Sequence, residues 1–194
     1  LSVEAPIIKD KASFIIAGRR SYADVLAKPF LSDDFSDTKF YFYDLSAKVN
    51  YDINEKYSVY LSGYFGRDVF SQGFGFNYGN QTATARWNHI FNDKLFLNTT
   101  AYYSNYDFEI GIGSPEDGGF KWRGNIKNYS VKPSFSYFLN NKNTIQFGGQ
   151  SILYDFEPGN SEVYVPDSIL KILQDRRYGC LLYTSPSPRD RFLS

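Results

Sequence analysis

Long runs in which polar and apolar residues alternate one by one constrain this chain more than any other feature. In residues 43–68, positions 45, 47, 49, 51 and 53 are Leu, Ala, Val, Tyr and Ile, whereas positions 44, 46, 48, 50 and 52 are Asp, Ser, Lys, Asn and Asp. A period of two residues indicates a β-strand with one apolar and one polar face. The apolar face rests either on a protein core, as in a soluble sandwich, or on lipid, as in a membrane barrel.

Similar runs recur along the chain, and three of the connections between them are short and alike. Asn54–Lys56, Asn92–Lys94 and Asn140–Asn143 are Asn-rich, and Asn tolerates the left-handed conformation that tight turns need. We predict strands at Lys11–Tyr22, Lys39–Ile53, Tyr57–Arg67, Asn77–Phe91, Leu95–Glu109, Lys121–Leu139 and Thr144–Phe156.

The intervening segments are rich in Gly, Pro, Asp and Ser, so we predict long connections at Ser21–Thr38, Asp68–Phe76, Ile110–Phe120 and Glu157–Arg177. Short turns at one end and long loops at the other are typical of bacterial outer-membrane barrels. A Greek-key sandwich would mix its connections.

Strand length and composition also favour a barrel. The predicted strands are about 11 to 19 residues long. Strands of globular proteins most often contain about 5 to 6 residues, and a strand needs about 9 to 11 residues to cross the hydrocarbon core of a membrane. Aromatic residues make up 19% of the chain, and we predict two aromatic belts near the strand ends. Mean hydropathy is −0.41, and no stretch is long and apolar enough for a spanning helix.

The predicted belts each comprise several rings. Near the short turns they are Tyr51, Tyr57, Phe91, Phe96, Tyr137 and Phe138; near the long connections they are Tyr41, Tyr43, Tyr64, Phe65, Tyr102, Tyr103, Tyr106, Phe108, Tyr154 and Phe156.

The last fifteen residues break this pattern. The segment CLLYTSPSPRD, Cys180 to Asp190, resembles the translation of a transposase sequencing adapter, and every codon of the adapter frame matches. We therefore predict that residues 180–194 are a non-native tail, that the natural sequence is read as far as Gly179, and that residues 1–179 are part of a longer reading frame. The single Cys is then not natural, so neither a disulfide framework nor a zinc site is expected.

Several separate blocks carry a family likeness. PIIKDKASFIIAGRRSYAD (Pro6 to Asp24), YFYDLSAKVNY, LSGYFGRD, TATARWNHIFNDKLF and QFGGQS resemble the barrel of TonB-dependent outer-membrane receptors, and most closely those with a carboxypeptidase-regulatory-like domain ahead of the plug. The resemblance implies an all-β fold: about seven meander strands of an incomplete antiparallel 22-stranded transmembrane barrel, covering residues 1–179.

The same resemblance implies partners and a place in the cell. They are outer-membrane lipid, the plug domain of the full-length chain, the TonB energy-transducing complex and, as a further candidate, a surface lipoprotein. A ligand such as a siderophore, cobalamin, an oligosaccharide or a peptide would cross the cell outer membrane. Charge is balanced at 21 basic and 21 acidic residues, so nucleic acid is not expected as a partner.

The polar faces of the predicted strands would line the wet interior of such a barrel. The candidate lumen-facing residues are Arg19, Arg20, Asp44, Lys48, Asn50, Arg86, Asn88, Asn128 and Lys132, accompanied by Ser46, Thr84, Ser130 and Ser134.

No catalytic or cofactor-binding constellation is visible in the sequence, so we predict a protein that is not an enzyme and holds no cofactor. The one His, His89, reads as an interfacial side chain. Two acidic groups, Asp33/Asp34/Asp37 and Glu116/Asp117, could hold a hard cation such as calcium, but fit solvated loops better. A non-transporting surface β-protein, such as an adhesin or a glycan-binding module, remains the alternative to a transport receptor.

Overall fold

A computed structural model describes residues 1–27, 38–114, 118–140, 142–165 and 168–185, which form ten β-strands and one short helix. The elements are β1 Ser2–Ile8, β2 Ala12–Arg20, α1 Ala23–Ala27, β3 Lys39–Asn54, β4 Tyr57–Gln72, β5 Phe74–Asn92, β6 Leu95–Ser114, β7 Gly118–Asn140, β8 Asn143–Val165, β9 Ser168–Ile172 and β10 Arg177–Ser185.

The strands form a single sheet. Strands β1 to β8 lie side by side in chain order, and each pairs with the next in antiparallel register. Both β9 and β10 then pair with the outer edge of β8, β9 along residues 161–165 and β10 along residues 148–156. The predicted antiparallel meander is confirmed.

All seven predicted strands are present, but most are longer than predicted, and β1 was not predicted. Strands β3 to β8 contain 16 to 23 residues. The prediction of long connections at Asp68–Phe76, Ile110–Phe120 and Glu157–Arg177 is wrong. The chain passes from β4 to β5 through Gly73 alone, whose φ of 62° lets it reverse in one residue. Ser21–Thr38 remains a long connection between β2 and β3.

The Gly-, Pro-, Asp- and Ser-rich composition of these segments led to the wrong prediction, because backbone hydrogen bonds between strands form even where neither face is apolar. Residues 68–72 are Asp, Val, Phe, Ser and Gln, yet they continue the ladder of β4 without a break. The contrast between short turns and long loops therefore no longer argues for a barrel. What covers the faces of the sheet now decides between a barrel and a sandwich.

No hydrophobic side chain is buried anywhere in the described part of the chain. A soluble sandwich buries the inner faces of two packed sheets, whereas the described strands make one layer. The apolar side chains of these residues therefore need a cover from outside the sheet.

Three Asn side chains close the short turns in the same way. Asn54 Oδ1 accepts hydrogen bonds from the backbone amides of Lys56 and Tyr57 at 2.9 and 3.1 Å. Asn92 does the same for Lys94 and Leu95, and Asn140 for Lys142 and Asn143. The predicted Asn-dependent turns are confirmed, with side chains replacing missing backbone acceptors.

We expect Asn92→Ala to destabilise the β5–β6 hairpin by about 1 kcal/mol, because two turn amides lose their acceptor. Asn92→Asp keeps a carboxylate oxygen in place and should cost less. Urea unfolding of both variants in lipid vesicles measures the difference. Equal stability of Asn92→Ala and the parent would show that the side-chain bonds do not hold the turn.

Strand β10 crosses the predicted end of the natural sequence. Gly179 pairs with Tyr154, and Cys180 to Ser185 continue the same ladder along β8. Any segment of extended backbone can pair with an open strand edge, whatever its sequence. The origin of residues 180–194 stays a prediction, and residues 186–194 lie outside those that the structure describes.

Candidate functional site: two faces of opposite polarity

The register of the sheet assigns every paired residue to one of two faces. One face contains Ala47, Val49 and their partners across the sheet, and is called the Val49 face; the other contains Ser46, Lys48 and their partners, and is called the Lys48 face. The half of the sheet nearest the Asn turns is called the turn half, and the half nearest Gly73 the loop half.

In the turn half, the Val49 face carries an almost unbroken apolar band. One register row crosses six strands with only small or apolar side chains: Val49, Leu61, Ala85, Ala101, Val131 and Ser151. Leu61 is 49% exposed and Val131 is 50% exposed. A shallow depression of about 730 Å³ lies over the small residues in the middle of this band.

Aromatic rings lie along both borders of the band. Towards the turns, His89 stacks on Tyr57 with 4.4 Å between ring centroids, and Trp87 stacks beside both rings. Towards the loop half, Tyr103 and Tyr129 pair at 5.2 Å. His89 is 9% exposed within this aromatic cluster, and its interpretation as an interfacial side chain stays a prediction.

Beyond the Tyr103–Tyr129 row, the Val49 face becomes charged. Arg67 on β4 donates to Asn77 at 2.9 Å and to Asp107 on β6 at 2.6 Å, so its guanidinium crosses over β5. It passes over Gly79, where a Cβ would lie 2.8 Å from the Arg67 Nη2 atom. The other ion pairs on this face are Lys121–Glu109, Arg123–Glu109, Lys171–Glu162 and Arg176–Asp155.

Glu109 is the centre of this charged region. Partial burial raises the pKa of its carboxyl, but Lys121 at 3.0 Å and Arg123 at 2.5 Å outweigh burial, and the pKa lies below its ordinary value of 4.5. A carboxyl whose pKa is lowered by folding stabilises the fold above its unfolded pKa and loses that contribution as pH falls through the folded pKa.

We therefore expect the parent to lose up to about 1 kcal/mol of stability relative to Glu109→Gln between pH 6 and pH 3, a small value because the pair is partly solvated. Unfolding midpoints at each pH measure it. Glu55→Gln, in an exposed turn, is the control and should leave the pH profile unchanged. A parallel profile for the parent and Glu109→Gln would contradict the expectation.

On the Lys48 face, the turn half is polar, and it gathers most of the predicted lumen residues. Asn50, Arg86 and Lys132 occupy one register row, Lys48 lies in the adjoining row, and Asn88, Asn128 and Asp44 follow on the same face. Arg19 pairs with Asp44 at 2.5 Å and shares that face.

Of the two candidate arginines at the end of β2, Arg20 lies on the other face. It is paired with Tyr43, on the Val49 face, and its guanidinium lies 5.3 Å from the centre of the Tyr41 ring. Adjacent residues of a strand point to opposite faces, so Arg19 and Arg20 cannot both face the same side.

Three amide oxygens of the predicted set are buried without a hydrogen-bond donor among the described residues. They belong to Asn50, Asn88 and Asn128. The amide nitrogens of Asn50 and Asn128 do find acceptors, Ser13 Oγ at 3.4 Å and Ser104 Oγ at 3.1 Å. Buried acceptors are normally satisfied by protein or water, so these three oxygens are exceptions within the sheet.

The loop half of the Lys48 face is aromatic, which sequence reasoning missed. Phe76, Tyr78, Tyr106, Phe108 and Trp122 form a continuous series across β5, β6 and β7, called the aromatic ladder. Successive ring centroids lie 5.2, 6.3, 6.3 and 5.1 Å apart. Phe40 and Phe70 extend the surface across β3 and β4.

The two predicted belts are therefore only partly correct. Tyr51, Tyr57, Tyr137, Tyr41, Tyr43, Phe65 and Tyr103 lie on the Val49 face, but Phe96, Phe138, Tyr64, Tyr102, Tyr106, Phe108, Tyr154 and Phe156 lie on the Lys48 face. Counting odd and even positions along each run would have separated the two groups.

No group of three His, Cys, Asp or Glu side chains that could hold a metal ion occurs in the described ranges. Asp33, Asp34, Asp37, Glu116 and Asp117 lie outside those ranges. The described helix is five residues long, and among the described residues there is no helix long and apolar enough to cross a bilayer.

Comparison with known proteins identifies likeness in structure and none in sequence. No protein-family model and no curated protein matches the chain. The ferric yersiniabactin uptake receptor FyuA from Yersinia pestis is similar with a TM-score of 0.60 and 7% identity, over 94% of this chain and 33% of that chain. The outer membrane transporter YddB from Escherichia coli gives 0.57 and 12%, over 93% and 29%.

The chain thus spans about a third of the length of these structures. At such low identity the likeness is one of fold: the single antiparallel sheet is that of an outer-membrane β-barrel.

Proposed function

We propose that this chain is part of the wall of a TonB-dependent outer-membrane receptor that imports a ligand. The observation that carries the proposal is the apolar band of the Val49 face, which no described residue covers. Acyl chains would cover this band, and the polar Lys48 face would line the lumen. The sheet would then be one section of a closed barrel, because open strand edges are not stable in hydrocarbon.

The height of the band supports this assignment. On β6 the apolar positions of the Val49 face run from Leu95 to Tyr103. At about 3.3 Å per residue this is roughly 26 Å along the strand, or about 20 Å along the membrane normal for a tilt near 40°. Barrels carry an apolar band about 25 Å tall with aromatic girdles at both borders.

The Lys48 face is suited to a polar neighbour. Its exposed charged side chains, such as Arg86 and Lys132, would meet a plug domain or the water around it. A plug, the TonB complex and a 22-strand barrel belong to the full-length receptor that we propose, and its activity would be transport and not enzymatic catalysis. A surface lipoprotein partner stays a prediction.

Nitroxide labels in the full-length protein test the lipid assignment. Labels at Val49, Ala85 and Val131 should collide with membrane-dissolved oxygen, whereas labels at the neighbouring Lys48, Thr84 and Lys132 should collide with a water-soluble nickel chelate. Shielding of the first three positions from oxygen, or a full-length protein that dissolves without detergent, would refute the proposal.

A further inference from the structure

The aromatic ladder lies where lipid cannot explain it. On the opposite face of the same strand segments are Arg67, Asp107 and Glu109, whose ion pairs require a hydrated surface. This part of the sheet therefore lies beyond the hydrocarbon, and the rings on its Lys48 face point to the side that would become the lumen. They form an apolar surface in a wet compartment.

Glycines make room for two of the rings. A Cβ on Gly124 would lie 2.6 Å from the Phe108 ring, and a Cβ on Gly159 would overlap the Trp122 indole. The Phe108 and Trp122 rings stand at 84° to each other, so the rings of the ladder do not lie in one plane.

The charges around the ladder are balanced. On strands β2 to β8 the charged residues of this region are Asp68, which lies opposite Tyr78, and the Arg19–Asp44 pair; Arg177 lies beside Phe156 at the edge. Two cations and two anions leave no positive excess for an anionic ligand. They do offer donors and acceptors to hydroxyl groups at the rim of the rings.

We propose that the aromatic ladder is a stacking platform for the sugar rings of a neutral oligosaccharide. The electron-rich faces of Tyr106 and its neighbours attract the C–H faces of a pyranose ring, while its equatorial hydroxyls bond to Asp68 and Asn80. Asn80 lies directly opposite Tyr106 in the register. This inference rests on the proposed transport function, for which it names the class of ligand.

Two tyrosines of β6 provide a matched pair of variants. Tyr106 belongs to the ladder and is 36% exposed, whereas Tyr103, three residues earlier on the same strand, lies on the Val49 face against Tyr129. Tyr106→Ala should weaken oligosaccharide binding about tenfold, by analogy with bases stacked on aromatic side chains. Tyr103→Ala should leave the affinity unchanged.

The test uses calorimetry on the full-length protein in detergent with maltohexaose, cellohexaose, xylohexaose and laminarihexaose as probes, and a ferric tris-catecholate as the anionic comparison. Binding of one hexasaccharide that Tyr106→Ala weakens and Tyr103→Ala does not is the expected result. Equal effects of the two variants, absence of binding by all four sugars, or binding of the ferric chelate alone would each overturn the proposal.

Access to the ladder is tested separately. In the full-length protein, Tyr106→Cys should react with a water-soluble maleimide, and the unsubstituted protein gives the background labelling. A protected Cys at position 106 would mean that another segment of the chain covers the ladder, and would overturn the proposal. If the labels at Val49, Ala85 and Val131 contact lipid while no sugar binds, the transport proposal is supported and only the proposed class of ligand is wrong.

Discussion

Replacing Ala85 with Arg should lower the stability of the protein in a bilayer by about 2–4 kcal/mol, the cost of a guanidinium near the middle of the hydrocarbon on the outer face of a barrel. Ala85 lies within the apolar band, between Leu61 and Ala101, so an arginine at this position would have no polar neighbour on the adjacent strands of its row. Guanidinium titration of the full-length protein refolded in phosphatidylcholine vesicles measures the change.

The adjacent Thr84 provides the control. It belongs to the Lys48 face, in the row of Lys48 and Ser62, so Thr84→Arg would place the same charge in a wet, polar environment. We expect its effect to stay within about 0.5 kcal/mol. Equal losses for the two variants would mean that both faces meet the same medium, and a larger loss for Thr84→Arg would reverse the assignment of the faces.

Replacing Gly148 with Ala should cost about 1–3 kcal/mol through overpacking. A Cβ at this position would lie 2.4 Å from the Pro133 carbonyl oxygen and 3.1 Å from the Ser134 Cα. Both obstacles are backbone atoms of the paired strand, so the sheet itself would have to move.

This close approach follows from a proline in the interior of the sheet. Pro133 has no backbone N–H to donate to β8, and the pairing of β7 with β8 passes from Val131 directly to Ser134. Gly149 lies opposite that gap and Gly148 at its end, paired with Ser134, and the absence of their side chains lets the two backbones come close.

Gly63→Ala is the matched control, because a Cβ there would meet its nearest atom, the Thr82 carbonyl oxygen, at an ordinary 3.7 Å. We expect a neutral to slightly stabilising effect from the reduced freedom of the unfolded chain. Unfolding of both variants in lipid vesicles measures the difference in stability. A Gly148→Ala protein as stable as Gly63→Ala would show that the β7–β8 contact relaxes without cost.

The periodicity of the sequence predicted the strands where both faces were chemically distinct. Residues 44–53 alternate cleanly, and the predicted and observed bounds of β3 differ by one residue. The prediction failed where Gly, Pro, Asp and Ser accumulate. On β6 the alternation reverses after Tyr103 within the predicted strand, but the strand was predicted to end at Glu109 and continues through Ile110 to Ser114.

The candidate lumen residues share a face for the same local reason. Lys48, Arg86 and Lys132 were grouped by parity within each strand, and parity is preserved when antiparallel strands pair residue by residue. Arg19 and Arg20 are adjacent, so only one of them can share that face, and the register places Arg19 there. That this face lines a lumen stays a prediction.

By itself, the sequence determined the strands, the Asn turns and the division of each turn-half strand into a polar and an apolar side, because these depend on neighbours within a few residues. The tertiary structure decided which strands lie together, that no described layer covers the sheet, and that Phe76, Tyr78, Tyr106, Phe108 and Trp122 meet in one ladder. These features depend on register between residues up to 46 positions apart, which no local pattern encodes.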